Sequence, residues 1–173
     1  MTVGGTIEIP LAGGEVALID AEDLEKVSPY RWHVKHSGTK PWHPLYAETV
    51  LWPSNKHLKM HRVITDAPHA LTVDHINGNG LDNRKANLRL CTHQQNLMNA
   101  KPRRHSSRYK GVHKTREGAW VSQIRHNGKR MYVGRFCREE EAARAYNAAA
   151  RRLFGEFAWL NDVPADHPMT PTG

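Results

Sequence analysis

Cysteine is scarce in this 173-residue chain, which has only Cys91 and Cys137 and no CxxC spacing. This scarcity argues against a zinc-ribbon site and suggests a reducing compartment. The simplest interpretation of both residues is an ordinary buried thiol, and we expect no zinc.

Long apolar runs are also missing. No stretch approaches the length of a membrane span. The N-terminus lacks the basic region followed by an apolar core that marks a secretory signal. We therefore expect no membrane partner.

Acidic residues are in deficit, with 17 Asp and Glu against 25 Lys and Arg, which gives a net charge of +8. The excess of positive charge predicts a polyanionic partner, with nucleic acid favoured over an anionic membrane. The hydrophobic content of 39% and the charged content of 24% are typical of a globular protein. The length suits one ordinary domain or two small ones.

The segment 72–99 reads as strand, loop, strand and helix. Residues 88–91 alternate in polarity, as on a half-buried strand. Thr92 occupies a helix N-cap position, and Gln95 three residues later completes a capping-box pattern. Asn96 then falls in the first turn of the helix.

This arrangement can aim Asp74 and Asn96 at one point from opposite sides. Both offer hard oxygen ligands, which suit Mg²⁺ or Mn²⁺. His75 has an ordinary pKa near neutrality and can take a proton from an attacking water. Asn87 can hold the loop or fix the imidazole through its amide.

These residues resemble the His-Asn-His (HNH) endonuclease motif of the ββα-metal fold: DH, an Asn twelve residues after the His, NLR, and an Asn nine residues further. Phage and intron-encoded homing endonucleases, in which Asp and Asn replace two metal-side histidines, are the most similar group. The resemblance implies Asp74 and Asn96 as ligands of one divalent metal, His75 as general base and Asn87 as the structural Asn.

Several further residues are candidates for phosphate contact. The His-Arg pair found upstream in the family is matched here, and a basic linker follows the motif. The candidates are His61, Arg62, Arg84, Arg89, Arg103 and Arg104. A structural histidine is the alternative for His61, and solvated surface charge is the alternative for the arginines. His93 either contacts the metal ligands from behind, without binding the metal itself, or is exposed to solvent.

Residues 6–64 form a small β-rich region in this interpretation, with a hairpin turned by two glycines and strands near 30–34 and 45–51. This region would provide a surface for the nuclease hairpin to pack against, because a ββα unit on its own is too small to be reliably stable. Its aromatic residues are more often core than base-stacking at strand spacing. They are Trp32, Trp42, Tyr46 and Trp52.

Residues 108–161 have a different design, with strands predicted at 109–115, 119–125 and 130–136 and a helix at 139–154. Asn127-Gly128 is a strong hairpin signal. Between Lys101 and Arg135 there are eleven Lys or Arg and a single acid. A helix covering one sheet face would leave the other face free for the DNA major groove, where Arg reads guanine and Gln can read adenine.

This second segment resembles the plant APETALA/ethylene-response-factor DNA-binding domain over its whole length, through YKGV, YVGRF, EEAARAYNAAA and the final LN. The resemblance implies that strand residues contact DNA. By position these are Lys110, His113, Thr115, Glu117, Gln123, Arg125, Arg130 and Tyr132. The chain departs from the plant pattern at His113, Glu117 and Gln123, so the plant target sequence does not transfer.

The fold class expected is α+β: a small β-rich N-terminal region leading into a ββα-metal nuclease fold, then a three-stranded antiparallel sheet on one helix. The divisions expected are 1–100, a basic linker at 101–107, a DNA-binding domain at 108–161 and a tail at 162–173.

The function expected is a metal-dependent, sequence-directed endonuclease acting on double-stranded DNA, phage- or prokaryote-encoded and cytoplasmic. We expect a monomer and leave a dimer open. The alternatives are a non-catalytic, sequence-specific DNA-binding regulator and, less favoured, an RNA-binding module.

Overall fold

The computed structural model describes residues 5–38, 44–100 and 106–164. The chain divides into two units, Met1–Asn99 and Ala100–Gly173. The fold is α+β, as the sequence predicts, and its strands form small antiparallel sheets. None of the helices in these ranges has the length and apolar character that a bilayer crossing demands.

The described residues of the first unit form three sheets and three short α-helices. The strands pair as β1 with β2, as β3-β4-β5 and as β6 with β7. In chain order the elements are β1 (Thr6–Pro10), β2 (Val16–Asp20), α1 (Leu24–Val27), β3 (His33–His36), β4 (Leu45–Leu51), β5 (Lys56–Lys59), α2 (Met60–Thr65), β6 (Thr72–His75), β7 (Leu88–Cys91) and α3 (His93–Asn99).

Apolar side chains from these layers meet in one core, which fixes the base of the β6–β7 hairpin. Ile19 of β2, Val27 of α1 and Met60 and Ile64 of α2 are at most 2% exposed. Helix α2 was not predicted, because the sequence interpretation treated residues 6–64 as a β-rich region. No side-chain cap marks its start at Lys59, so burial of its apolar residues stabilises it.

The second unit is a three-stranded sheet with one face covered by a helix. Its elements are β8 (Val112–Lys114), β9 (Trp120–His126), β10 (Lys129–Phe136) and α4 (Glu139–Phe154). Asn127 and Gly128 adopt φ of 50° and 76°, as a type I′ hairpin requires. Ala142 and Ala143 of α4 are fully buried, so the helix lies close on the sheet.

Strand β8 is shorter than the predicted 109–115. Gly111 has φ of +75°, and a Cβ there would overlap the ring of Tyr146. The chain therefore turns tightly against α4 before the strand begins. Cys91 is buried as expected, whereas the expectation of a buried Cys137 is wrong because that residue is exposed after β10.

Candidate active site and nucleic-acid interface

The start of α3 is set by a reciprocal pair of hydrogen bonds. The backbone N–H of Thr92 donates to the Gln95 side-chain oxygen at 2.8 Å, and the Gln95 N–H donates to the Thr92 hydroxyl at 3.2 Å. This geometry is the capping box that the sequence predicted. Asn96 therefore lies in the first turn of α3, where it is half-buried.

Asp74 lies on β6 with only 4% of its surface exposed. Its Oδ2 accepts hydrogen bonds from Nε and Nη2 of Arg89, directly opposite on β7, at 2.9 and 2.7 Å. The side-chain amide of Asn99 donates to both carboxylate oxygens at 3.1 Å. A buried carboxylate thus meets one cation and one amide from its own chain.

The surroundings of the Asn99 amide nitrogen are rich in oxygen. Besides the two Asp74 oxygens, the backbone carbonyls of His75 and Ile76 lie 3.0 and 3.3 Å from it. Asn96 precedes Asn99 by three residues and so shares its side of α3. The carboxylate and carbonyl oxygens that meet around the Asn99 amide are ligand types that a hard divalent cation prefers.

His75 is buried at the end of β6, with its Nε2 3.2 Å from the Asn83 side-chain oxygen. The Asn83 amide nitrogen donates to the Leu81 carbonyl, which orients the amide oxygen toward the ring. An oxygen that only accepts requires a proton on Nε2. In the neutral imidazole, Nδ1 then carries the lone pair that a general base uses.

Two further rings surround this imidazole. The rings of His61 and Tyr46 have centroids 5.0 and 5.8 Å from that of His75. Burial, reinforced by the charge of Lys59 and by the charge that His75 would carry when protonated, lowers the pKa of His61 to about 2. Burial also lowers the pKa of His75, against the opposing effect of the hydrogen bond that its ring donates to Asn83. Both imidazoles are therefore neutral at pH 7.

Asn87 holds the loop that joins the two strands of the motif. Its side-chain oxygen accepts from the Asn77 N–H at 2.9 Å, and its amide nitrogen donates to the Asp82 carbonyl at 2.7 Å. Of the two roles considered for Asn87, these contacts support the loop. The imidazole is instead held by Asn83.

Three of the arginines considered as phosphate contacts, Arg62, Arg84 and Arg89, are engaged with their own chain. Arg62 donates to three backbone carbonyls within 67–71 at 2.9 to 3.0 Å. Arg84 forms a bidentate pair with Asp82 at 2.8 Å for both bonds, and Arg89 binds Asp74. Their contacts within the chain explain their positions without DNA.

The remaining nominated residues of this unit are placed as follows. His61 is buried, so it is not a surface phosphate contact in this conformation. His93 is exposed at the start of α3. Arg103 and Arg104 lie outside the described residues.

Sequence reasoning missed three contributors to this site. Tyr46 comes from the remote β4, and no local pattern connects it to His75. Asn83 lies within the loop, where its Asn-Arg context reads as turn chemistry. Asn99 carried a usable signal, because it follows Asn96 at helical spacing.

In the second unit, strand register brings polar side chains onto the sheet face opposite α4. Arg125 lies opposite Arg130, and Gln123 lies opposite Tyr132. Directly opposed residues of antiparallel strands project to the same face. Arg125, Arg130 and Tyr132 are exposed, whereas Ile124, which points to the helix side, is only 3% exposed.

The four other DNA-contact candidates differ in their exposure to solvent and in their contacts within the chain. His113 pairs with Val121 and shares the free face. Glu117 is exposed in the β8–β9 turn, 3.8 Å from Arg135. Thr115 is half-buried beside it. Lys110 precedes β8, its ammonium donates to the Ala100 carbonyl at 2.7 Å, and burial lowers its pKa to about 8.

Comparison with known proteins gives two separate likenesses. A family model described as HNH endonuclease matches residues 59–98. An uncharacterized HNH endonuclease of Acanthamoeba polyphaga mimivirus is 34% identical over 152 residues, which cover 87% of this chain and 76% of the viral protein.

The second likeness is confined to the C-terminal part. Dehydration-responsive element-binding protein 2E of Oryza sativa subsp. japonica is 45% identical over 62 residues, 35% of this chain and 20% of the rice protein. Dehydration-responsive element-binding protein 2D of Arabidopsis thaliana is 47% identical over 58 residues, 32% of this chain and 28% of the plant protein. No solved structure matches the chain.

Proposed function

Because the chain belongs to the HNH endonuclease family, we propose that it hydrolyses phosphodiester bonds of double-stranded DNA with one divalent metal and with His75 as general base. The β6–β7–α3 unit would cleave, and the sheet β8–β10 would select the sequence. We keep the division into residues 1–100, a linker at 101–107, 108–161 and a tail as part of this proposal.

The observation that carries the proposal is the state of His75. Its imidazole is neutral, its Nε2–H is held by Asn83, and its Nδ1 is left to accept a proton. Asp74, the neighbouring residue, brings a buried carboxylate to the same end of β6. A proton acceptor beside an anionic ligand is what metal-assisted hydrolysis needs.

In the proposed reaction, His75 Nδ1 takes a proton from a water whose oxygen attacks the scissile phosphorus in line. The new phosphorus–oxygen bond forms as the bond to the 3′ oxygen breaks, and the 3′ oxygen leaves as a hydroxyl after protonation by solvent. Asn83 keeps the imidazole oriented throughout. Asn87 keeps the loop closed around it.

Asp74 and Asn96 would hold the metal, for which we propose Mg²⁺, with Mn²⁺ as the alternative. When bound, the cation supplies positive charge that stabilises the developing negative charge on the phosphate and on the leaving oxygen. Two protein ligands suit Mg²⁺, which keeps several waters.

A DNA-binding regulator that does not cleave is the second candidate. The observation in its favour is that both Asp74 oxygens already accept hydrogen bonds, from Arg89 and Asn99. Such a protein would use the free face of β8–β10 in the same way.

A supercoiled-plasmid assay separates the two candidates. We expect Mg²⁺-dependent conversion to open circles or linear DNA, lost in EDTA and in His75→Ala. His93→Ala is the matched control, because it removes an exposed histidine from α3, and we expect it to cleave normally. Binding without cleavage, on plasmids that carry a bound site, would favour the regulator.

A further inference from the structure

The hairpin formed by β4 and β5 presents a large aromatic side chain to solvent. Trp32 lies in the core as expected and is 5% exposed, but the same expectation is wrong for Trp52, which is 85% exposed because it lies in the turn between the strands. Val50, two residues earlier, is 41% exposed. Trp is enriched at binding interfaces, where its ring supplies a large contact area and its N–H a hydrogen bond.

The same hairpin carries positive charge along β5. Lys56, His57 and Lys59 are all exposed. His57 lies opposite Val50 and Lys59 opposite Glu48, so these side chains share one face. Glu48 is buried and hydrogen-bonded to His57 at 2.7 Å, so Lys59 is the exposed cation of this face.

Lys59 connects this face to the candidate active site. Its ammonium lies 5.1 Å from the centroid of the Tyr46 ring. Tyr46 in turn contacts both His61 and His75. The Tyr46 ring therefore lies between the exposed ammonium of Lys59 and the proposed base. Arg62 and Arg89, in contrast, are bound to partners in their own chain.

We propose that the β4–β5 hairpin (45–59) binds the DNA duplex next to the scissile bond. Lys59 contacts a backbone phosphate close to the one attacked, and Trp52 packs against sugar or base in a groove further along. Six residues separate Tyr46 from Trp52, so at about 3.3 Å per residue the tip reaches roughly 20 Å. At about 3.4 Å per base pair this is roughly six base pairs from the cleaved bond.

The position of the scissile bond rests on the proposed function, but the test does not require cleavage. Binding of the full chain is measured in EDTA over a range of NaCl concentrations, on a duplex that the chain selects from a random-sequence pool. We expect Trp52→Ala to weaken binding at least about fivefold at every salt concentration, because an apolar contact with sugar or base edges neutralises no phosphate and so releases no counterions. Trp52→Phe should stay within about twofold of the wild type.

Lys59→Gln should act differently, through the salt dependence. Loss of one phosphate contact reduces the slope of log K against log salt by about 0.9. Lys26→Gln is the charge-matched control, because Lys26 pairs with Asp66 at 2.7 Å, and its slope should stay unchanged. Val16→Ala, at a 40% exposed residue of β2, is the control for loss of an exposed apolar side chain.

The proposal fails if Trp52→Ala and Lys59→Gln bind like their controls. It also fails if the wild type self-associates and Trp52→Ala abolishes that association without changing DNA affinity, since the tip would then join two copies. Wild-type binding without cleavage in Mg²⁺ would remove the proposed function but leave this surface intact.

Discussion

At the scale of single residues, some members of the site can be identified from their spacing in the sequence, and others only from the folded structure. Asp74, His75 and Asn87 could be selected from the order of the motif, because adjacent and nearby residues stay near each other. Asn83 and Tyr46 could not, since the hydrogen bond and ring contacts that they offer His75 depend on how the loop and β4 pack. Asn and Tyr are common residue types, and the residues that flank Asn83 and Tyr46 in the sequence form no recognisable motif.

The two asparagines of α3 should differ in their effects. Asn96→Ala should raise the Mg²⁺ concentration needed for half-maximal cleavage, because it removes a proposed ligand. Asn99→Ala should instead lower the free energy of unfolding by about 1–3 kcal/mol, because it deprives buried oxygens of a donor. Both variants should be compared by titrating cleavage with Mg²⁺ and by unfolding in urea. If Asn99→Ala changes the Mg²⁺ requirement and Asn96→Ala the stability, Asn99 is the ligand and Asn96 the structural residue.

His61 should make stability fall in acid. Its native pKa of about 2 lies below the ordinary 6.5, so the unfolded chain binds a proton that the native chain does not. The contribution of this residue is therefore complete above pH 6.5 and decreases by about 1.4 kcal/mol per pH unit below it.

Hydrogen exchange of the β6 amides at pH 5 and 7, corrected for intrinsic rates, measures this dependence. His61→Phe keeps a ring beside Tyr46 and removes the titrating group, so its stability should fall less between the two pH values. An equal fall in both proteins would show that His61 already binds a proton in the native state.

At the scale of elements, the helices and strands that could be predicted are those with a clear start, turn or end signal in their own sequence. The β9–β10 hairpin and α4 follow from Asn127-Gly128 and from apolar residues at helical spacing, and α4 ends at Phe154 as expected. Helix α2 has six residues and no side-chain cap, so its sequence lacks the start signal that α3 displays at Thr92. Strand β8 was overextended because the close approach of Gly111 to Tyr146 is a tertiary contact.

The free face of β8–β10 gives an element-scale prediction. Arg125→Ala should weaken specific binding by about 1–3 kcal/mol if Arg125 makes a bidentate base contact. Lys129→Ala, at an exposed residue of the same hairpin, is the control and should affect all duplexes alike. Binding constants on selected and scrambled duplexes measure this, and an equal loss on both for Arg125→Ala would indicate a phosphate contact.

At the scale of the whole molecule, an HNH endonuclease motif and a segment similar to plant DNA-binding proteins share a chain with net charge +8. The positive charge attracts any DNA, whereas selection of a sequence needs the ordered face of a sheet. The composition predicted the partner class, and the two motifs predicted the two families of relatives. The partners of each arginine were not predictable, because ion pairs such as that between Arg89 and Asp74 follow from strand register.

Chemical rescue tests the central claim, that His75 is the base of a metal-dependent nuclease, most directly. His75→Ala is incubated with a selected duplex and Mg²⁺, with and without free imidazole. We predict that cleavage is lost in the variant, returns in part with imidazole, and stays absent when EDTA is added. Cleavage by His75→Ala at the wild-type rate without imidazole would contradict the assignment.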